Sequence, residues 1–390
     1  MNILIVPFHD WRKIILEGFR TRDAHFIEHL NNNSSDVKVV INRPTTLVEI
    51  LLKRKPNLIK GTVIYSKSNF KLYEVSKNFY VIDFVSNNIF GQVLNGYKWF
   101  ISQYENPKYI NFINESLSKL GINDDYFLLN QNIFASKLSK SLKPKKSVFD
   151  AWDNFAKFNV YSKIKEEIFS AYKDYAKICD FWITNSNDNI RDFSKAYQPK
   201  QLILIKNGVD VSRFANNTQA EIPEDMKNIP RPIVGFGGKI THLLDVDLIN
   251  KTMKQTKNAS FVFVGQILDK QVFNSIDKLD NFYYLGDKHY EIYPNYVKNF
   301  DICTVPYVVD EDKKSGANSI KVYEYLATTK KVVGTDSNGL EELKEHVYII
   351  NTAEEFSAEI TNHQNAKHLI DLNIHSWSTK VEDLIKLLNS

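Results

Sequence analysis

The sequence predicts two α/β domains, each built on a doubly wound, mainly parallel sheet covered by helices. Three observations predict it. Short apolar runs alternate with helical patterns along all 390 residues. A polar stretch containing Pro223, Pro230 and Pro232 divides these runs into two series. The hydrophobic fraction of 43% suffices for two cores of ordinary size. In the first series, strands are expected near 2–7, 37–41, 62–66, 80–85, 126–129, 147–150, 181–184 and 202–205, forming one doubly wound sheet. The second series runs IVGF (233–236), SFVFV (260–264), FYYL (282–285), DICTV (301–305), KVVGT (331–335) and VYII (347–350). At the end, Val381, Leu384, Ile385 and Leu388 recur at helical spacing, and Thr379 with Glu382 can form a capping box.

Composition narrows the function classes. The longest apolar runs, Ile3–Phe8 and Tyr80–Val85, fall far short of the ~20 residues of a membrane span, and the N-terminus lacks a basic start and a cleavage site. A cytoplasmic protein is expected. The net charge of +4 is too small to argue for nucleic acid, and no nucleic-acid signature accompanies it. Cys179 and Cys303 are far apart in apolar contexts, as buried thiols are. Residues 137–146 hold five lysines and no acid, and Lys53, Arg54, Lys55 and Lys60 stand among Leu51, Leu52, Leu58 and Ile59. Such clusters suit an anionic membrane surface, and equally a solvated surface in a lysine-rich chain.

Two segments carry the chemistry. In ILIKNGVDVSRF (203–214), a short strand breaks into Asn207-Gly208, a turn dipeptide. In SIKVYEYLATTKKVVGT (319–335), Lys321 and Glu324 are three apart on a predicted helix, so both lie on one face near its N-terminus. The helix N-terminus and Lys321 can attract phosphate, and Glu324 can accept both hydroxyls of a ribose. The loop Gly235-Phe236-Gly237-Gly238-Lys239 follows a strand and precedes a helix expected near His242. Gly237 and Gly238 there let backbone approach a pyrophosphate that Lys239 neutralises, although any tight strand-to-helix turn also uses glycine. Ligands of open α/β sheets bind outside the carboxyl ends of the strands, which adds Gly265, Gly286, Tyr307 and Asn318. These contacts suit a nucleoside diphosphate.

At these residues the chain resembles the GT-B glycosyltransferases of the large family 4 type, especially bacterial cell-surface polysaccharide members. NGVDVSRF resembles the family's NGVDxxxF hinge motif, and KVYEYLATTKKVVGT its E-x-L/M-A-x-G-x-P-V-V-x-T block. The resemblance covers most of residues 200–390 and only loosely the first 150. The block's usual Gly and Pro are here Thr329 and Lys331, and the first Glu of the family's paired-glutamate motif falls at Gly316. The resemblance thus carries over the ribose contact at Glu324 but not the sugar contact of the first Glu.

The resemblance implies two Rossmann-like domains facing a central cleft. Residues 1–206 would bind the acceptor and 207–375 the nucleotide-sugar, with a C-terminal helix, 376–390, packing back on the first domain. It further implies a nucleoside-diphosphate sugar as co-substrate, a glycan or lipid-linked glycan as acceptor, and no metal. Asp245-Val246-Asp247 matches a D-x-D metal pattern, but it is expected inside a helix, where residues two apart point different ways. Asp310-Glu311-Asp312, in a loop, is read the same way.

For catalysis the resemblance points to Asp150 and Asp153, at the end of a predicted strand, as acid-base candidates. Asp153 equally fits a helix N-cap, because Phe155, Phe158, Tyr161 and Ile164 open a helical pattern after it. His9, in VPFHDWR, lies where GT-B enzymes place an acceptor loop, or is a structural histidine. Inverting and retaining chemistry both remain open. So do a nucleotide-sugar epimerase of the same fold and a non-catalytic binding protein, whereas an NAD oxidoreductase lacks its G-x-G-x-x-G after the first strand.

Overall fold

Apolar runs flanked by turn residues form the strands, and the chain divides into two units: residues 1–205 with 381–390, and residues 206–380. The computed structural model describes residues 1–31, 36–52, 59–215, 220–309, 318–337, 339–362 and 367–390.

The first unit carries ten strands: β1 (Ile3–Val6), β2 (Lys38–Ile41), β3 (Thr45–Thr46), β4 (Thr62–Lys67), β5 (Phe70–Ser76), β6 (Phe79–Ser86), β7 (Phe127–Asn130), β8 (Ser147–Asp150), β9 (Phe181–Thr184) and β10 (Leu202–Leu204). Their order is β10-β9-β8-β7-β1-β2-β6-β5-β4, with β3 paired to β6. From β10 to β6 every pairing is parallel, and β1, β2, β8 and β9 are buried along their whole length, as strands covered on both faces must be. The order reverses between β1 and β7. One expectation is corrected: β4, β5 and β6 form an antiparallel edge, and β5 was not expected at all. The links β4–β5 and β5–β6 are too short for a crossover helix, and Ser68 and Asn78 turn the chain at φ 55° and 59°. Across the strand ends, Arg12 of the helix Trp11–Glu17 donates to both oxygens of Asp83 in β6, at 3.0 and 2.5 Å, and Asn42 after β2 donates to the same carboxylate at 2.8 Å.

The second unit carries β11 (Ile233–Gly237), β12 (Ser260–Val264), β13 (Phe282–Tyr284), β14 (Ile302–Val305), β15 (Lys331–Gly334) and β16 (Tyr348–Ile349), all parallel, in the order β13-β12-β11-β14-β15-β16. Here the order reverses between β11 and β14. The helix expected near His242 begins only at Val246, with the Asp245 side chain capping it through the Leu248 N–H at 2.9 Å. Single bridges, Ile240 to Ile267 and Leu244 to Tyr307, hold the intervening chain extended.

The last helix, Trp377–Asn389, starts three residues earlier than the capping box suggested. Ser376 Oγ accepts from the Thr379 N–H at 3.1 Å and serves as the cap. Val381, Leu384 and Leu388 are buried along it. Cys179 and Cys303 are free and buried, and burial pushes the Cys179 thiol up to about 12.

The lysine run at 137–146 presents no apolar face. Lys137 and Lys140 pair with Asp174 at 3.4 and 2.6 Å, Lys145 pairs with Asp125, and Leu138 and Leu142 are buried. Lys53, Arg54, Lys55 and Leu58 lie outside the described residues. Among the described residues, no helix is long and apolar enough to cross a membrane.

Candidate functional site

In the second unit, the reversal of strand order leaves the loops after β11 and β14 side by side, and the helix Ile320–Ala327 begins above them. Lys321 stands in its first turn. Its ammonium donates to the Tyr307 hydroxyl at 2.5 Å and lies 4.4 Å from the centre of the Phe236 ring and 4.9 Å from that of Tyr307. The cation is therefore held by aromatic faces from β11 and from the loop after β14. Gly238 makes room for it: a Cβ there would stand 2.1 Å from the Lys321 nitrogen. Gly265, at φ 144°, allows the neighbouring loop to cross, since its Cβ would lie 2.0 Å from the Gly238 carbonyl oxygen.

The amides of the glycine loop have partners within the protein. The Gly237 N–H donates to the Tyr325 hydroxyl at 2.7 Å, and the Gly238 N–H donates to the Val264 carbonyl at 2.8 Å. Both amides are engaged inside the fold, so the loop offers a ligand space rather than donors. Lys239 follows, half-buried, and Gly286 closes the next loop by accepting from the Gly265 N–H at 2.9 Å.

Glu324, one turn beyond Lys321, is buried, and its Oε1 accepts from the Tyr290 hydroxyl at 2.6 Å. Burial pushes its carboxyl up to about 7; the Tyr290 hydrogen bond and Lys321 pull down, and Asp210 pushes up. The two sequence motifs meet here. The Asn207 N–H donates to Asn318 Oδ1 at 2.9 Å, the Asn207 amide donates to the Asn318 carbonyl, and Asn318 donates to the Tyr323 hydroxyl at 2.8 Å. Asp210 caps the short helix Val211–Phe214 and pairs with Arg213 at 3.1 Å, while Arg213 and Phe214 pack on the Tyr290 ring. Tyr290 and Tyr325 escaped the sequence reading because nothing local marks a tyrosine whose partner is 34 or 88 residues away.

The two departures from the family block have distinct consequences. Thr329, where the block has Gly, takes a left-handed backbone at φ 58°. Lys331, where it has Pro, is buried and binds the end of the helix Ala353–Thr361, donating to the Glu359 carbonyl at 2.7 Å and pairing with the Glu359 carboxylate at 2.6 Å. Gly316 lies outside the described residues.

In the first unit, His9 follows β1 and is fixed by Asp23, a residue the sequence did not single out. The His9 N–H donates to Asp23 Oδ2 at 2.9 Å, and His9 Nδ1 lies 3.0 and 2.9 Å from the two oxygens of the same carboxylate. Thr21 donates to it at 2.5 Å. Burial alone would raise the Asp23 carboxyl, but His9 and Thr21 outweigh it and hold it below the usual carboxylate range. With Nδ1 so committed, Nε2 is the nitrogen left for proton exchange.

Asp150 ends β8, 1% exposed, and accepts from Arg22 Nε at 3.1 and 2.9 Å and from Gln131 Nε2 at 2.9 Å. His9 and Asp150 are thus both tied to the start of the helix Arg22–Asn31, through consecutive residues. Asp153 is half-buried and caps no α-helix. Two 3-10 turns follow, Phe155–Lys157 and Asn159–Ile164, with Asn154 at the first cap, and the α-helix begins only at Lys165. The helical spacing after Asp153 is that of the 3-10 turns, whose i to i+3 period places the same rings inward.

Of the groups that could bind a cation, Asp245 is a helix cap, and Asp247 pairs with Lys251 at 2.7 Å. Asp310-Glu311-Asp312 lies outside the described residues. Among the described residues, His25, Glu28 and His29 bring three ligand atoms within 4.8 Å of one another on the helix Arg22–Asn31.

No protein-family model matches this sequence, and no curated protein matches it. Solved structures do. The α,α-trehalose 6-phosphate synthase from Burkholderia multivorans shares 11% identity over 100% of this chain and 96% of its own, with a TM-score of 0.66. TarM shares 11% over 100% and 98%, with a TM-score of 0.58. The UDP-GlcNAc 2-epimerase from Neisseria meningitidis, bound to UDP-GlcNAc, shares 11% over 100% of both chains, with a TM-score of 0.53. At such identity the likeness is one of architecture: two α/β units, each on a parallel-dominated sheet, give this chain the GT-B fold, common to glycosyltransferases and UDP-GlcNAc epimerases.

Proposed function

We propose that this protein is a glycosyltransferase that moves a sugar from a nucleoside-diphosphate sugar to a hydroxyl of a glycan or lipid-linked glycan. The observation that carries the reading is the pairing of Lys321 and Glu324 on the helix Ile320–Ala327, at the strand-order reversal of the second unit. Among the described residues Lys321 closes no ion pair and rests on two aromatic faces and a hydroxyl, with Glu324 acting on it only from one turn away, so its charge is available to a diphosphate. Glu324 Oε2 would accept from the ribose while Oε1 keeps Tyr290. S. aureus TarM, of the same fold, has been seen with UDP.

For the acceptor hydroxyl, His9 is the better placed proton acceptor in the first unit. Its Nδ1 is fixed by Asp23, which supports an imidazolium as it forms. Asp150 is already neutralised by Arg22, and Asp153 stays the alternative. In a retaining reaction the departing phosphate would serve as base, and His9 would only position the acceptor.

The epimerase likeness favours one second reading, in which the same donor site converts a nucleotide-sugar with no acceptor. A panel of nucleotide-sugars separates the two: transfer requires an added acceptor, epimerisation proceeds without one. Glu324→Ala and Lys321→Ala should each weaken nucleotide binding by roughly ten- to a hundredfold in calorimetry. His9→Ala should keep nucleotide affinity and lose about 10²- to 10⁴-fold in transfer rate. Nucleotide affinity unchanged in both donor-site variants would sink the reading.

A further inference from the structure

The first unit exposes a ridge of large apolar side chains. The helix Ile89–Asn95 buries Gly91 and turns outward Phe90, Val93 and Leu94, which are 69%, 75% and 78% exposed at positions i, i+3 and i+4 of one face. Beside it, the helix Leu47–Leu52 ends in Leu51 and Leu52, 66% and 79% exposed. The two helices are joined: Gln92 donates to Glu49 at 3.2 Å, and Thr46 donates to Gln92 at 3.2 Å. Both follow the carboxyl ends of parallel strands, β3 and β6, as His9 follows β1. Five such side chains together form an apolar patch with a reason to exist.

We infer that this ridge docks the protein on a lipid bilayer that carries anionic headgroups. The shape argues for a bilayer: side chains two-thirds to four-fifths exposed form a projection, which enters an acyl layer, and not the groove that receives a peptide or helix. Charge argues for anionic lipid. Tyr97, two residues beyond the helix, packs its ring against Tyr161 at 4.8 Å. The segment that this contact brings alongside carries exposed Val160, Lys163 and Lys165; of the acids that follow, Glu167 is paired with Lys98 at 2.6 Å and Glu166 is exposed, so the lysines leave a small positive surplus. Basic charge beside inserted apolar side chains is the pattern of a peripheral membrane surface.

Lipid binding tests this without any assay of transfer, so its outcome is separate from that of the proposed function. The full chain is sedimented with vesicles of phosphatidylcholine alone and of phosphatidylcholine with phosphatidylglycerol. It should partition onto the mixed vesicles. The double variant Phe90→Ser/Leu94→Ser should lose at least about tenfold in partitioning. Lys163→Glu/Lys165→Glu should lose about fivefold or more on mixed vesicles and little on neutral ones. Unchanged melting temperatures would show that the fold is intact, since all four side chains point to solvent. A wild-type chain left in the supernatant, ridge variants that sediment as wild type does, or a dimer in light scattering that the ridge substitutions dissolve would each overturn the proposal.

Discussion

The two sheets reverse strand order in the same manner, yet the two edges are chemically unlike. At the first, Asp83 is held by Arg12, Asp150 by Arg22 and Asp23 by His9. At the second, Glu324 is buried with only a tyrosine hydroxyl on its Oε1, and Lys321 rests on rings. The first edge is an electrostatically closed framework that aims one imidazole. The second keeps a buried carboxyl and a cation one turn apart without a close ion pair, an arrangement that suits the proposed binding of a charged, hydroxylated ligand.

The sharpest way to break this contrast is Arg22→Ala. If the first edge is a closed framework, leaving Asp150 buried and unpaired should remove about 3–5 kcal/mol of stability in urea unfolding. A loss below about 1 kcal/mol would show that the pair is dispensable and return Asp150 to the list of bases.

Glu324 predicts the opposite behaviour. Its folded-state value of about 7 exceeds the ordinary 4.5, so between these values the folded chain holds a proton the unfolded chain has released. Stability should therefore fall as pH rises from about 4.5 to about 7 and level off above, by roughly 3 kcal/mol from this group. Glu324→Gln should abolish that slope, giving a variant relatively more stable above pH 7. Parallel pH dependences of stability for the two proteins across this window would contradict a carboxyl raised by burial.

The smallest effect is expected at Thr329. A β-branched residue in the left-handed region costs about 1–2 kcal/mol, partly offset by the greater freedom of glycine in the unfolded chain. Thr329→Gly should raise stability by about 1 kcal/mol with nucleotide affinity unchanged, as read by thermal melts with and without ligand.

The second unit was more legible than the first, for physical reasons. Its strands are short apolar runs, several of which end at or next to a glycine, and its candidate site residues lie largely on two local motifs. In the first unit, β5 reads FKLYEVS, whose polar residues interrupt the apolar run as in a strand near a sheet edge, so it stands out less than the buried strands do. Serine and asparagine in the short links on either side were the available signal. The framework around His9 was not legible at all, because Arg22 and Asp150 are 128 residues apart and only the sheet joins them. At Gly237 and Gly238 the sequence marks only a place where backbone can come close to a ligand; that their amides find partners in Tyr325 and Val264 depends on residues far along the chain.

The helix Trp377–Asn389 has a consequence for how the chain is made. Residues 381–390 belong to the first unit, so the second, 206–380, is an insertion within it. A ribosome delivers β1 to β10 first and their last covering turns only after a complete second unit has emerged. The earlier unit must wait, unfinished, for the later one. A fragment ending at 205 would lack Val381, Leu384 and Leu388 and would leave bare the apolar surface they cover. Closing so long an intervening loop adds little entropy beyond that of a shorter one, because the penalty grows only with the logarithm of length. The burden of the arrangement falls on time during synthesis more than on final stability.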